Sequence, residues 1–220
     1  MRWPCWPWAS CPPRSWTCAR GPSPRASRGP PVKRPPEPAG DFTETRASTE
    51  LAYDGGLLRL RRDEVRLPGG APAWREYVEH PGAVMMMAFL DDGQVLLERQ
   101  FRYPMGRHYI ELPAGKMEKG EPPLETARRE LVEECGYEAA DWWHMATLHP
   151  CIGYSNEVIE LYGARGLRHV GARLDPGEHL EVFAAPVEDA LAWVREGLIQ
   201  DTKTMIGLFW WSRFGRTEVK

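Results

Sequence analysis

Long apolar runs are missing from this 220-residue chain. The longest, Ala83–Leu90, is strand length, well short of the roughly 18 apolar residues a membrane helix needs. Cysteine is scarce: five residues in all, with only Cys135 and Cys151 beyond position 18. No Cys-x-x-Cys occurs, and no histidine lies near Cys5, Cys11 or Cys18. A structural zinc site is therefore not expected. Nothing calls for an oxidising compartment, and a cytoplasmic protein is expected. His108, His144, His149, His169 and His179 show no ligand spacing among themselves. No internal repeat is visible. With 42% hydrophobic and 27% charged residues, the chain is neither wholly disordered nor a small disulfide scaffold.

What is present is unevenly spread. Residues 1–40 hold 11 of the 21 prolines and 4 of the 10 tryptophans, with seven Lys/Arg against one acid. Prolines this dense break helices, central strands and the apolar stretch of a secretory signal. Residues 1–40 are expected to be a disordered tail, or upstream sequence included by a wrong start; a Pro/Trp-rich docking tail is the functional alternative. With a net charge of −3 overall, the remaining body carries −9. An acidic body argues against nucleic-acid binding and suits a site whose carboxylates hold divalent cations.

From Phe42 onward the pattern is mainly β. Strands are predicted at Thr43–Tyr53, Leu57–Leu67, Ala73–Glu79, Val84–Leu90, Gln94–Phe101, Tyr109–Leu112, Trp142–Leu148, Val158–Ala164 and Leu180–Ala184. Asp91-Asp92-Gly93 reads as a hairpin turn between two of them. Helices are predicted at Leu124–Cys135, Val187–Glu196 and Thr202–Phe214. Strands and helices mixed without strict alternation argue an α+β class. The organisation expected is the tail (1–40), an N-terminal antiparallel β region (41–82) and a main domain (83–220). Met85-Met86-Met87 and Trp193, Trp210 and Trp211 are expected to pack rather than to bind.

The chemistry concentrates in residues 111–137. On a helix, Leu124, Ala127, Leu131 and Cys135 share a buried face, while Glu130, Glu133 and Glu134 share a neighbouring one. Like charges at i,i+4 oppose a helix by roughly 0.2–0.5 kcal/mol per pair, and carboxylates near its C-terminus oppose the dipole. A divalent cation offsets both. Hard oxygen ligands suit Mg²⁺, or Mn²⁺, and Mg²⁺ bound by few carboxylates points to a phosphate-bearing substrate. A plain solvated acidic face is the bland alternative.

Gly115, Glu121, Arg129, Glu130, Leu131, Glu133, Glu134 and Gly136, followed by the bulky Tyr137, resemble the Nudix box, G-x5-E-x7-R-E-U-x-E-E-x-G-U. The resemblance implies an α/β/α sandwich with a mixed sheet between helices, and Mg²⁺-dependent hydrolysis of a diphosphate. It implies Glu130, Glu133 and Glu134 as metal ligands with the Ala114 carbonyl assisting, and Arg129 with Glu121 as an ion pair joining loop to helix.

The flanks Arg75–Val84, Glu98–Arg102, Glu111–Gly115 and His149–Glu157 are similar to the ADP-ribose pyrophosphatase branch. This implies cleavage of ADP-ribose to AMP and ribose 5-phosphate, and a homodimer that exchanges its first strands. The implied substrate contacts are Arg75, Arg99, Arg102, Glu111, Tyr154 and Glu157. Arg99 and Arg102, either side of Phe101, are expected to share a strand face. Glu178 is the expected base for the attacking water, with Glu181 second, and joins Glu133 and Arg129 as the catalytic set. Other nucleoside diphosphate sugars, or a non-catalytic ADP-ribose sensor, remain the alternatives.

Overall fold

The computed structural model describes residues 34–215. The described residues fall into two units, divided after Asp41. In the first, residues 34–41 form neither helix nor strand; the rest of the tail expected over 1–40 lies outside the described residues.

The second unit opens with an antiparallel sheet of β1 (Thr45–Asp54), β2 (Arg59–Arg66) and β3 (Pro72–Glu79), in that order. Every residue of β1 is exposed. Next come β4 (Ala83–Ala88), β5 (Val95–Arg102), a 3₁₀ turn at Tyr103–Met105, β6 (Arg107–Glu111), β7 (Ala114–Lys116) and α1 (Pro123–Cys135). Then follow β8 (Tyr137–Leu148), β9 (Ile159–His169), β10 (Leu180–Ala185), α2 (Val187–Arg195) and α3 (Thr202–Phe214).

These strands form two sheets, ordered β7-β4-β9-β8 and β10-β5-β6. The first is mixed, because β4 runs parallel to β9. Its central strand reads Ala-Val-Met-Met-Met-Ala and is buried throughout, as a two-sided strand should be. Alternation sends Val84, Met86 and Ala88 to one face with Leu96, Ala127, Leu131 and Cys135. It sends Met85 and Met87 to the other, with Leu97, Ala190, Ile199 and Leu208. Both cores draw on β4 and β5, so the two sheets act as one middle layer, with α1 on one side and α2 and α3 on the other. The α+β sandwich expected from the sequence is present.

Two local expectations are corrected. The turn at Asp91-Asp92-Gly93 forms, with Gly93 at φ +85° and its N–H on Leu90 O at 2.9 Å. Yet β4 and β5 share only the isolated Phe89–Val95 bridge and then diverge into different sheets. Residues 114–116, outside every strand predicted from the sequence, make a short strand against β4, with Val84 facing Gly115.

Candidate active site

Helix α1 starts where Pro122 and Pro123 preset φ for the first turn. It ends at Gly136, whose φ of +74° lets its N–H reach Leu131 O and Val132 O. A Cβ there would lie 2.5 Å from Ala172 N, so conformation and space both require glycine. Ala127, Leu131 and Cys135 turn inward as expected, while Leu124 is only half-buried. The outcome for the acids is uneven. Glu134 is buried at 5% exposure, while Glu130 and Glu133 are half-buried.

Arg129 organises this acidic face. Its Nε and Nη2 hold Glu121 Oε1 and Oε2, each at 3.0 Å. Its Nη1 bridges Glu130 Oε1 at 2.9 Å and Glu133 Oε2 at 2.7 Å. Glu121 also accepts from Thr126 Oγ1 and the Glu118 N–H. With Arg129 as the largest cause, these bonds hold its carboxyl down at about 2. The loop–helix ion pair implied by the sequence is thus in place.

Strand β7 supplies the other side of the motif. Met86 N–H bonds Pro113 O at 2.9 Å, and the next residue, Ala114, turns its N–H away from β4 to Glu134 Oε2 at 3.2 Å. A strand residue presents its N–H and C=O to the same edge, so the Ala114 carbonyl is directed to the α1 side. Gly115 leaves the space that Glu130 fills. Among the described residues, no three carboxylate, imidazole or thiol groups converge on one point as they stand, since Glu130 and Glu133 are turned onto Arg129. The donor set nevertheless fits a hard cation. It is all oxygen, it contains a buried carboxyl, Glu134, that pairs with no cation among the described residues, and it borders a cradle that any Cβ would fill.

A cavity of about 810 Å³ is lined by Glu130, Glu133, Glu134, Ala114 and Gly115 on the motif side. Glu157 and Glu178 join from the loops, Gln100 and Arg102 from β5, and Asp201, Thr202 and Lys203 from the start of α3. Burial is the main force raising the Glu134 carboxyl to about 10; the charges of Glu98, Glu130 and Glu178 add to it, and the Ala114 N–H opposes it. Burial likewise raises Glu130, against the pull of Arg129.

Several expected contacts lie elsewhere. Arg99 and Arg102 are three residues apart, so pleat alternation puts them on opposite faces. Arg102 joins the cavity; Arg99 pairs with Glu181 at 2.6 Å and lies over the Phe183 ring. That also removes Glu181 from the cavity. Arg75 is held on the N-terminal sheet by Glu44 and by the Trp74 carbonyl at 2.9 Å. Glu111 is buried with both oxygens engaged: by Arg102 at 2.6 and 2.8 Å, and by Lys203. Burial alone would raise its carboxyl, but these cations outweigh it and the net shift is downward. Glu111 therefore anchors two cations of the cavity instead of lining it. Tyr154 is exposed on the 149–157 loop outside the cavity lining, and that loop is stitched to β3. Val78 N–H bonds Tyr154 O at 2.8 Å, and Asn156 N–H bonds Val78 O at 3.3 Å.

Four participants escaped the sequence reading. Lys203 follows Asp201, which caps α3 by accepting the Thr204 N–H at 2.9 Å; the Asp-Thr pair before an apolar run was the available signal. Gln100 alternates with Arg102 on β5. His80 lies inside the flank Arg75–Val84, where no spacing singles it out. Glu98 lies deepest, at 1% exposure, with Oε2 unpartnered. Burial first, and the charge of Glu111 next, raise it to about 8.

The sequence matches the NUDIX domain model over residues 79–205, and the chain belongs to the Nudix family. It is 37% identical to the methanol dehydrogenase activator of Bacillus methanolicus, over 76% of this chain and 91% of that one. It is also 37% identical to the ADP-ribose pyrophosphatase of Bacillus subtilis (strain 168), over 73% and 88%. A crystal structure of an ADP compounds hydrolase superposes with a TM-score of 0.70 at 21% identity, covering 81% of this chain and all of that one; this likeness supports the fold.

Proposed function

We propose that this chain is a divalent-cation-dependent hydrolase that cleaves the diphosphate of ADP-ribose to AMP and ribose 5-phosphate. The observation that carries the proposal is the meeting, in one cavity, of the Glu130, Glu133, Glu134 and Glu178 carboxyls with the Arg102 and Lys203 cations. The first set suits a cation; the second suits phosphate oxygens. The similarity to the B. subtilis ADP-ribose pyrophosphatase supports the substrate.

Glu130, Glu133 and Glu134, with the Ala114 carbonyl, would hold the metal, Mg²⁺ in preference and Mn²⁺ as a substitute. The bound ion would polarise the scissile P–O bond and balance the negative charge that develops on it. Arg102 and Lys203 orient the diphosphate, and Glu111 keeps both from drifting into solvent. Glu157 contacts the substrate from its loop. Glu178 takes the proton of the attacking water. Its loop is tightened by a turn in which Glu178 N–H bonds Asp175 O at 2.9 Å. Arg129 keeps loop and helix together by way of Glu121.

The same proposal includes a homodimer built on the N-terminal sheet, where β1 is exposed from end to end and Tyr53, Leu58 and Trp74 stand out to solvent. It also includes a cytoplasmic location, which suits Cys135 and Cys151, both free among the described residues. Among the described residues, no helix is long and apolar enough to cross a membrane.

The test is a panel of nucleoside diphosphate compounds incubated with and without Mg²⁺, with products identified. AMP released from ADP-ribose only with metal supports the proposal. Preferential cleavage of another nucleotide sugar replaces the substrate, and tight binding without turnover makes the chain a sensor. Sedimentation at micromolar concentration tests the dimer.

A further inference from the structure

His80 stands between β3 and β4 with two of its groups committed. Its backbone N–H is donated to Asn156 Oδ1 at 2.7 Å. Its ring Nδ1 accepts the Gly82 N–H at 3.1 Å. A neutral imidazole that accepts at Nδ1 carries its proton on Nε2. That nitrogen lies 3.8 Å from Glu157 Oε1. Glu157 is placed in turn by its own N–H on Ser155 Oγ, at 3.1 Å. Both side chains are mostly buried, and both line the 810 Å³ cavity.

A separation of 3.8 Å is too long for a hydrogen bond between the two. It is short enough for one oxygen atom to sit within bonding distance of both. The pair therefore offers a fixed donor beside a fixed acceptor. A hydroxyl group satisfies both at once, donating to Glu157 and accepting from His80 Nε2–H. A phosphate oxygen satisfies only the donor and is repelled by the carboxylate.

We propose that His80 and Glu157 together recognise a sugar hydroxyl of the substrate, with His80 as the donor. This rests on the reading of the cavity as a nucleoside diphosphate sugar site, and names the part of the ligand that this rim reads. Polar groups built to receive a hydroxyl discriminate against analogues that lack it, because they are left unpaired. The pair is thus a specificity element, separate from the carboxylates of α1.

Two substitutions divide the ring's functions. His80→Asn keeps an acceptor near the Nδ1 position for Gly82 and removes the donor. His80→Gln keeps a donor near the Nε2 position and disturbs the Gly82 bond. KM and kcat are measured for ADP-ribose and for its two analogues that each lack the 2-hydroxyl of one ribose; calorimetric Kd values for the same three compounds accompany them. We expect His80→Asn to raise KM and Kd for ADP-ribose about tenfold with kcat within about twofold. That penalty should vanish on one deoxy analogue, and His80→Gln should stay closer to wild type. An equal penalty on all three compounds, or a larger loss in His80→Gln than in His80→Asn, overturns the proposal. If the wild type binds ADP-ribose without cleaving it, the hydrolase reading fails, and the Kd ratios still decide this one. No binding by the wild type overturns both.

Discussion

The carboxyl of Glu130 occupies the place where a side chain on residue 115 would begin: a Cβ on Gly115 would come within 1.9 Å of Glu130 Cδ. Gly115→Ala must therefore displace a proposed metal ligand while leaving the helix sequence untouched. Disturbed support of a ligand typically weakens metal affinity by about 10–100-fold. The Mg²⁺ concentration giving half-maximal turnover should rise by that order, with turnover recovering as Mg²⁺ is raised. An unchanged Mg²⁺ titration would separate Glu130 from the metal.

Glu134→Gln keeps an acceptor for the Ala114 N–H and removes the capacity to ionise and ligate a cation. The carboxyl is already held near 10 by burial and by neighbouring acids, so the neutral side chain should not destabilise the fold. Turnover should fall at least about 10²-fold, as when a charge-stabilising group is deleted, while the thermal midpoint in the presence of chelator stays level or rises. Near-normal turnover in this variant would dismiss Glu134 as a ligand.

Removing the proposed base should leave binding alone. Glu178→Gln is expected to lower kcat by about 10²-fold or more with KM within a few fold, read from steady-state kinetics at saturating Mg²⁺. A rise in KM with kcat preserved would make Glu178 a binding group and reopen the search for the proton acceptor.

Glu98 predicts a pH dependence of stability. Its carboxyl is raised to about 8 in the folded chain and returns to about 4.3 on unfolding. Between these values the unfolded state holds fewer protons, so stability declines as pH rises through that window and levels off above it. Urea unfolding in chelator at pH 5 and pH 8 should show the loss, and Glu98→Gln should reduce it. Equal slopes in the two proteins would contradict the assignment.

The motif helix could be read from spacing because its chemistry is local: Glu121, Arg129, Glu130, Glu133 and Glu134 lie within one loop and one helix. The strands of the core were legible for a similar reason, since Ala83–Ala88 is apolar at every position and needs no partner to identify it. Sites assembled across the chain were not legible. Lys203 reaches the cavity only because α3 packs on the opposite face of the middle layer and its first turn projects past β6 to Glu111. Glu98 looks like any charged residue midway along a strand, and only the packed fold buries it to 1% exposure with Oε2 unpartnered among the described residues. Arg99 and Arg102 are three positions apart on one strand, so only Arg102 faces the cavity, and the divergence of β4 and β5 into separate sheets has no signature in the turn that joins them.

The stitch of Val78 to Tyr154 and Asn156 is made of main-chain bonds, so it does not depend on which side chains β3 carries. It acts as a lever: the sheet that offers its outer strand to solvent is geared to the rim that carries His80 and Glu157. Adding or deleting one residue between Glu79 and Ala83 would slide that gear by a tooth and misalign the rim, even with the whole motif helix intact. Length in this short connection is therefore constrained whatever side chains β3 carries.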